Sequence, residues 1–172
     1  GMLDYQTKRY EMFLDKVGEY LDIVFVGDDL ATSDKTIMSA DTYREMVKPY
    51  QKKYFAAIKE MTDAKLLYHS DGNIYDFVED LADIGVDILN PIEPGALNED
   101  KLKENYGDRL CLWGGIDTKN VLPNGSAEDV KNEVKNRINQ LGPEGYVVTS
   151  VHDIQADTPP ENVITMFNTA KN

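Results

Sequence analysis

The segment Lys65-Leu66-Leu67-Tyr68-His69-Ser70-Asp71-Gly72 decides the fold. Its first four residues form a short run of the kind seen in a strand buried on both faces, and the run stops abruptly at small and polar groups. The same device recurs along the chain. Ile23-Val24-Phe25-Val26 ends in Gly27-Asp28-Asp29, and Val86-Asp87-Ile88-Leu89 ends in Asn90-Pro91. Leu110-Cys111-Leu112-Trp113 runs into Gly114-Gly115-Ile116-Asp117, and Gly145-Tyr146-Val147-Val148-Thr149 into Ser150-Val151-His152-Asp153.

Helical patterns separate these runs. Leu3, Tyr10, Phe13, Leu14 and Val17 have helical spacing. A helix capped by Ser39, with Asp41 in its first turn, is predicted to reach Met61 with a kink at Pro49. Ile74, Phe77, Val78, Leu81 and Ile84 mark the next helix. Others are predicted over residues 98–105, over 126–140 with Ser126 as cap, and from Pro160 onward with a Thr158–Glu161 capping box. One helix followed by five strand–helix units predicts an α/β protein with a parallel sheet.

The 172 residues read as a single domain, 1–172, with Gly1 ahead of Met2 as the remnant of an expression tag. A closed (β/α)8 barrel typically needs about 250 residues, so the chain is short for one. There are 18 Lys plus Arg against 31 Asp plus Glu, a net charge of −13, which disfavours nucleic acid and acidic membranes as partners. No apolar run approaches the roughly 20 residues of a membrane span, and no apolar leader opens the sequence. The single Cys111 excludes an intrachain disulfide, fits a reducing cytoplasm, and by its mid-strand place reads as core rather than nucleophile.

Ligands of parallel α/β folds bind beyond the C-terminal strand ends. Those ends carry Asp28 and Asp29, His69 and Asp71, Asn90 and Glu93, Asp117, and His152 and Asp153. Both histidines of the chain fall there. Residues two apart share a face of a strand, so His69 and Asp71 can point at one site. With His152 they supply donor types suited to zinc or non-haem iron, although a strand-end histidine is equally served by a hydrogen bond to a neighbouring carboxylate. Asp28 and Asp29 are adjacent and should diverge, so at most one faces a site. Gly114-Gly115 allows close approach of backbone to a ligand or a sharp turn, and no nucleotide-binding glycine motif is present.

Four stretches in fixed order carry a family resemblance: Tyr68-His69-Ser70-Asp71-Gly72, Gly85-Val86-Asp87-Ile88-Leu89-Asn90-Pro91, Leu112-Trp113-Gly114-Gly115-Ile116-Asp117, and His152-Asp153-Ile154-Gln155-Ala156-Asp157-Thr158-Pro159-Pro160-Glu161-Asn162. Together they resemble the C-terminal part of the uroporphyrinogen decarboxylase superfamily, which includes haem-biosynthetic decarboxylases and cobalamin- or coenzyme M-dependent methyltransferases. The segment from Asp41 through Pro49 to Lys59 is similar too. The resemblance implies a partial (β/α)8 TIM-type barrel, about the last five-eighths of one. Such a piece exposes sheet edges and is expected to self-associate as a homo-oligomer.

In the methyltransferases the resemblance implies zinc held by a His-x-Cys step and a later Cys. His69 matches the His, Asp71 stands at the first Cys position and His152 at the second. The preferred expectation is therefore a corrinoid-linked, zinc-dependent methyltransferase-like protein, acting on a small molecule or a corrinoid protein. Its metal ligands would be His69, Asp71 and His152, its catalytic groups His152, Asp28 and Asp117, and its substrate contacts Asp29, Asn90, Gly114 and Gly115. One alternative is a decarboxylase of porphyrin biosynthesis with His152 on a polycarboxylate tetrapyrrole. The other is a catalytically empty fragment that self-associates.

Overall fold

A computed structural model describes residues 1–171 and bears out the parallel α/β reading. The strands are β1 (Ile23–Gly27), β2 (Lys65–His69), β3 (Ile88–Ile92), β4 (Cys111–Ile116) and β5 (Tyr146–Ser150), in the sheet order β1-β2-β3-β4-β5. Doubly wound sheets reverse direction at a switch point, whereas consecutive units of a (β/α)8 barrel run in sequence order, as these do. The helices are α1 (Met2–Val17), α2 (Ala40–Met46), α3 (Lys48–Lys59), α4 (Val78–Asp83), α5 (Glu99–Tyr106), α6 (Val121–Asn124), α7 (Ala127–Leu141) and α8 (Pro160–Ala170). None of the described helices is long and apolar enough to cross a membrane. The chain divides into two compact units, Gly1–Ile88 and Leu89–Asn172.

In the first unit β1 and β2 pair in parallel, with Val26 beside Tyr68 and Gly27 beside His69. Tyr68 is fully buried and its ring lies 5.8 Å from that of Phe55 on α3, so the Val24, Val26, Leu66 and Tyr68 side chains form the helix-covered face. Phe25 and His69 take the other face, with ring centroids 5.6 Å apart. The predicted helix from Ser39 to Met61 is interrupted rather than kinked. Ser39 caps α2 by accepting a hydrogen bond from the Thr42 amide, as predicted. The helix then stops at Met46 and restarts so that Pro49 falls in the first turn of α3, where its missing N–H has no intrahelical partner to lose.

The second unit packs Ile116, Leu122, Val130, Val134 and Met166 into one apolar cluster. The capping box at α7 forms as expected: Ser126 Oγ accepts from the Asp129 amide and Asp129 Oδ2 accepts from the Ser126 amide at 2.8 Å. At α8 the expected Thr158 cap does not form. The capping position is Pro159, and Thr158 instead donates its backbone amide to the Gln155 carbonyl. β3 begins two residues later than predicted and runs through Asn90 and Pro91 to Ile92, because all five of its residues are buried and extended.

Candidate functional site

Hydrogen bonds zip the loops after β1 and β2 to each other. The Asp28 amide donates to the His69 carbonyl at 3.1 Å, the Leu30 amide to Ser70 Oγ at 3.0 Å, the Asp71 amide to Asp29 Oδ1 at 3.3 Å, and the Asn73 amide to the Thr32 carbonyl at 3.0 Å. Two glycines permit this closeness. A Cβ on Gly27 would lie 2.8 Å from the His69 carbonyl oxygen, and Gly72, at a φ of +79°, lies where a Cβ would strike the Thr32 carbonyl.

The zipper gathers Asp29, His69 and Asp71, which each offer one ligand atom with all three within 4.8 Å of one another. His69 Nε2 lies 3.3 Å from Asp71 Oδ1. One imidazole nitrogen and two carboxylate oxygens are acceptable zinc donors, and the set is harder than one containing thiolate. Asp29, expected to contact substrate, is thus the third member of the cluster, and His152, the expected third ligand, follows β5 in the second unit.

Asp28 points the other way, as adjacent residues at a strand end should. Its Oδ2 accepts from Gln51 Nε2 at 3.4 Å, its carbonyl accepts from the Tyr68 hydroxyl at 3.2 Å, and Gln51 also donates to that hydroxyl at 3.0 Å. The Tyr43 hydroxyl completes the network by donating to Gln51 Oε1 at 2.7 Å. Burial raises the Asp28 carboxyl above its ordinary range, the Gln51 hydrogen bond opposes this, and neighbouring Asp29 adds to it. Desolvation likewise raises the Tyr43 and Tyr68 phenols, so both stay protonated hydrogen-bonding groups.

In the second unit the expected site residues have structural partners. Asn90 is buried and its Nδ2 donates to the Trp113 carbonyl at 3.4 Å. Buried Glu93 pairs with Lys119. Asp117 holds the turn before α6: Oδ1 accepts from the Lys119 amide at 2.6 Å and the Asn120 amide at 2.9 Å, and Oδ2 from Asn120 Nδ2 at 2.8 Å. Burial pushes its carboxyl up, but these hydrogen bonds prevail and hold it below the ordinary range. Gly114 and Gly115 are closely approached by other parts of the chain. A Cβ on Gly114 would lie 2.7 Å from the Ile92 nitrogen, the Tyr146 hydroxyl donates to the Gly114 carbonyl at 2.8 Å, and Arg137 Nε donates to the Gly115 carbonyl at 3.1 Å. His152 is half-buried on the loop after β5. Cys111 is half-buried and its thiol is raised by desolvation, which suits a packing role.

The sequence reading passed over Gln51, Asp80 and Asn162. Asp80 is buried and joins Arg44 Nε at 2.9 Å and Lys48 Nζ at 2.7 Å. Asn162, in the Pro159-Pro160-Glu161-Asn162 motif, donates through Nδ2 to the Leu122 carbonyl at 2.9 Å and the Gly125 carbonyl at 2.8 Å, tying α8 to the end of α6. Polar residues on otherwise apolar helix faces were the available signal.

A sequential parallel α/β chain with imidazole and carboxylates gathered at neighbouring strand ends defines the class. Residues 7–172 match the family model for uroporphyrinogen decarboxylase (URO-D), and the chain belongs to that family. It is 26% identical over 135 residues to the uroporphyrinogen decarboxylase of Trichodesmium erythraeum, covering 78% of this chain and 37% of that one. It is 28% identical over 114 residues to the methylcobamide:CoM methyltransferase MtaA of Methanosarcina barkeri, covering 66% of this chain and 32% of that one. A solved methyltransferase from Methanosarcina mazei shares its fold, with a TM-score of 0.75 at 24% identity over 96% of this chain and 46% of the other. The chain thus spans about a third to a half of the length of the curated relatives it matches.

Proposed function

We propose that the chain is part of a zinc-binding, methyltransferase-like member of the URO-D family that works on a corrinoid-borne methyl group. The gathering of Asp29, His69 and Asp71 carries this reading. His69 would give a neutral imidazole donor, and the two aspartates would neutralise the ion's charge. Bound there, zinc would supply a Lewis acid to an oxygen or sulfur of the reacting partner. The relative MtaA is by name a methyltransferase acting between a methylcobamide and CoM, which supports a corrinoid as partner.

The second reading, decarboxylase-like chemistry with His152 against substrate, draws on the names of relatives such as those of Trichodesmium erythraeum and Chlorobaculum tepidum. A polycarboxylate substrate needs cations, however, and the arginines already have partners. Arg44 serves Asp80, Arg137 serves Glu99 and the Gly115 carbonyl, and Arg9 stacks on Tyr10.

Thermal unfolding with and without added zinc tests the preferred reading. A site filled at about 100 times its Kd stabilises the fold by about 2.7 kcal/mol, a rise in Tm that His69→Ala should abolish. An unchanged Tm of the wild type would count against zinc and shift preference to the decarboxylase reading. Quenching or a spectral shift of an added methylated corrinoid then tests the partner.

A further inference from the structure

The residue paired with His69 across the β1–β2 ladder is Gly27, which has no side chain. A Cβ there would lie 3.1 Å from the His69 Cβ, so the position beside the imidazole is kept clear. The next side chain back along that face of β1 belongs to Phe25. The Phe25 and His69 rings lie with centroids 5.6 Å apart and planes tilted by 34°. The Phe25 backbone is itself anchored, since its carbonyl accepts from the Tyr10 hydroxyl at 2.6 Å.

A histidine that ligates a metal must present a ring nitrogen along one direction in the plane of its imidazole. The side-chain torsion that turns this plane is broad and roughly two-fold, so the residue alone sets it loosely. Two neighbours constrain it here. At the ring edge, Nε2 lies 3.3 Å from Asp71 Oδ1. A contact at one edge atom still lets a ring swing about that point, and a second ring packed alongside limits the swing. Phe25 supplies that second ring. It is 57% exposed, so it adds little to the apolar core, and a smaller side chain there should leave the fold intact.

We infer that Phe25 is a positioning residue for His69: its ring, given room by Gly27, holds the imidazole in the orientation that gathers it with Asp29 and Asp71. The use of that orientation rests on the zinc reading above, whereas the hold itself does not, so the two can fail separately. Immobilising one side chain on binding weakens affinity by about three- to tenfold, and a preset imidazole avoids that loss.

NMR of the histidine-labelled full chain, metal-free and then with zinc, tests this in the wild type, Phe25→Leu and Phe25→Tyr. The chain has two histidines, so His152→Gln assigns the His69 ring signals. Without metal, at a pH above the ordinary imidazole range, the wild type should show Overhauser contacts between the His69 and Phe25 rings. The His69 ring signals should move in Phe25→Leu and stay in place in Phe25→Tyr, whereas a role in stability alone would lower Tm without moving them. Zinc affinity, read by competition with a chelator, should fall about three- to tenfold in Phe25→Leu and stay within about twofold of wild type in Phe25→Tyr. A wild type that shows the ring contact but binds no zinc would sink the zinc reading and support the hold of Phe25 on His69. Should Phe25→Leu not fold, Phe25→Met takes its place beside the wild-type ring contact. Absence of that contact in the metal-free wild type, His69 signals unmoved in the folded variant lacking the ring, or undiminished zinc affinity in that variant would each overturn the proposal.

Discussion

Asp29 Oδ1 accepts a hydrogen bond from the Asp71 backbone amide at 3.3 Å, so a carboxylate from the loop after β1 is fastened to the loop that carries Asp71, just beyond His69 at the end of β2. The candidate zinc site therefore exists because two loops are zipped, and its integrity depends on residues that need never touch a ligand.

Gly27 is the clearest of these. A methyl group there would meet the His69 carbonyl oxygen at 2.8 Å, within the backbone pairing of β1 with β2. Gly27→Ala should cost about 1–3 kcal/mol by overpacking and should weaken zinc binding in the fraction that folds. Chemical denaturation followed by zinc titration reads both effects.

Gln51 is buried among Tyr43, Tyr68 and Asp28, and its amide joins all three. Gln51→Leu keeps much of the volume and strips the hydrogen bonds. It should destabilise the fold by about 1–3 kcal/mol, because the Tyr43 hydroxyl loses its acceptor while staying buried. Gln51→Glu should not rescue the fold at neutral pH, since the new carboxylate keeps the acceptor to Tyr43 but sets a buried negative charge where Gln51 Nε2 now donates to Asp28.

Asp80 is buried between Arg44 and Lys48, and those cations are partly exposed. Removing a buried charge partner is costly, but here the cations left behind can rehydrate. Asp80→Ala should therefore fall near the low end of such losses, about 3 kcal/mol by urea denaturation.

Asp117 supplies a pH signature. Its carboxyl is held below its ordinary value of 3.8 in the folded chain, so it contributes stability that is present above that value and lost as pH falls through the folded one. Asp117→Ala should lower stability by about 1 kcal/mol at neutral pH, as for loss of a helix cap. The gap to wild type should close as the pH drops below 3.8, which Tm measured across pH would show.

The architecture was legible because buried strands ending in polar residues alternate with helical patterns, and nothing else in the chain competes with that reading. Boundaries failed where backbone constraint outweighed side-chain pattern. Pro49 ended one helix and opened the next, and β3 continued through Asn90 and Pro91. The divergence of Asp28 from Asp29 followed from their adjacency alone. That Asp29 rather than Asp28 would join His69 did not, since it depends on the loop zipper. Gly114-Gly115 illustrates another limit: that Ile92 and Tyr146 of the same chain pack closely against these glycines is set by tertiary packing, which the local pattern does not show.

The most direct test of the central claim is elemental analysis of protein purified without chelator or histidine tag, then supplied with zinc and desalted. The account predicts about one zinc per chain in the wild type, and its loss in both His69→Ala and Asp29→Ala with secondary structure intact. Wild-type protein that retains no zinc, or a His69→Ala variant that retains all of it, would contradict the site.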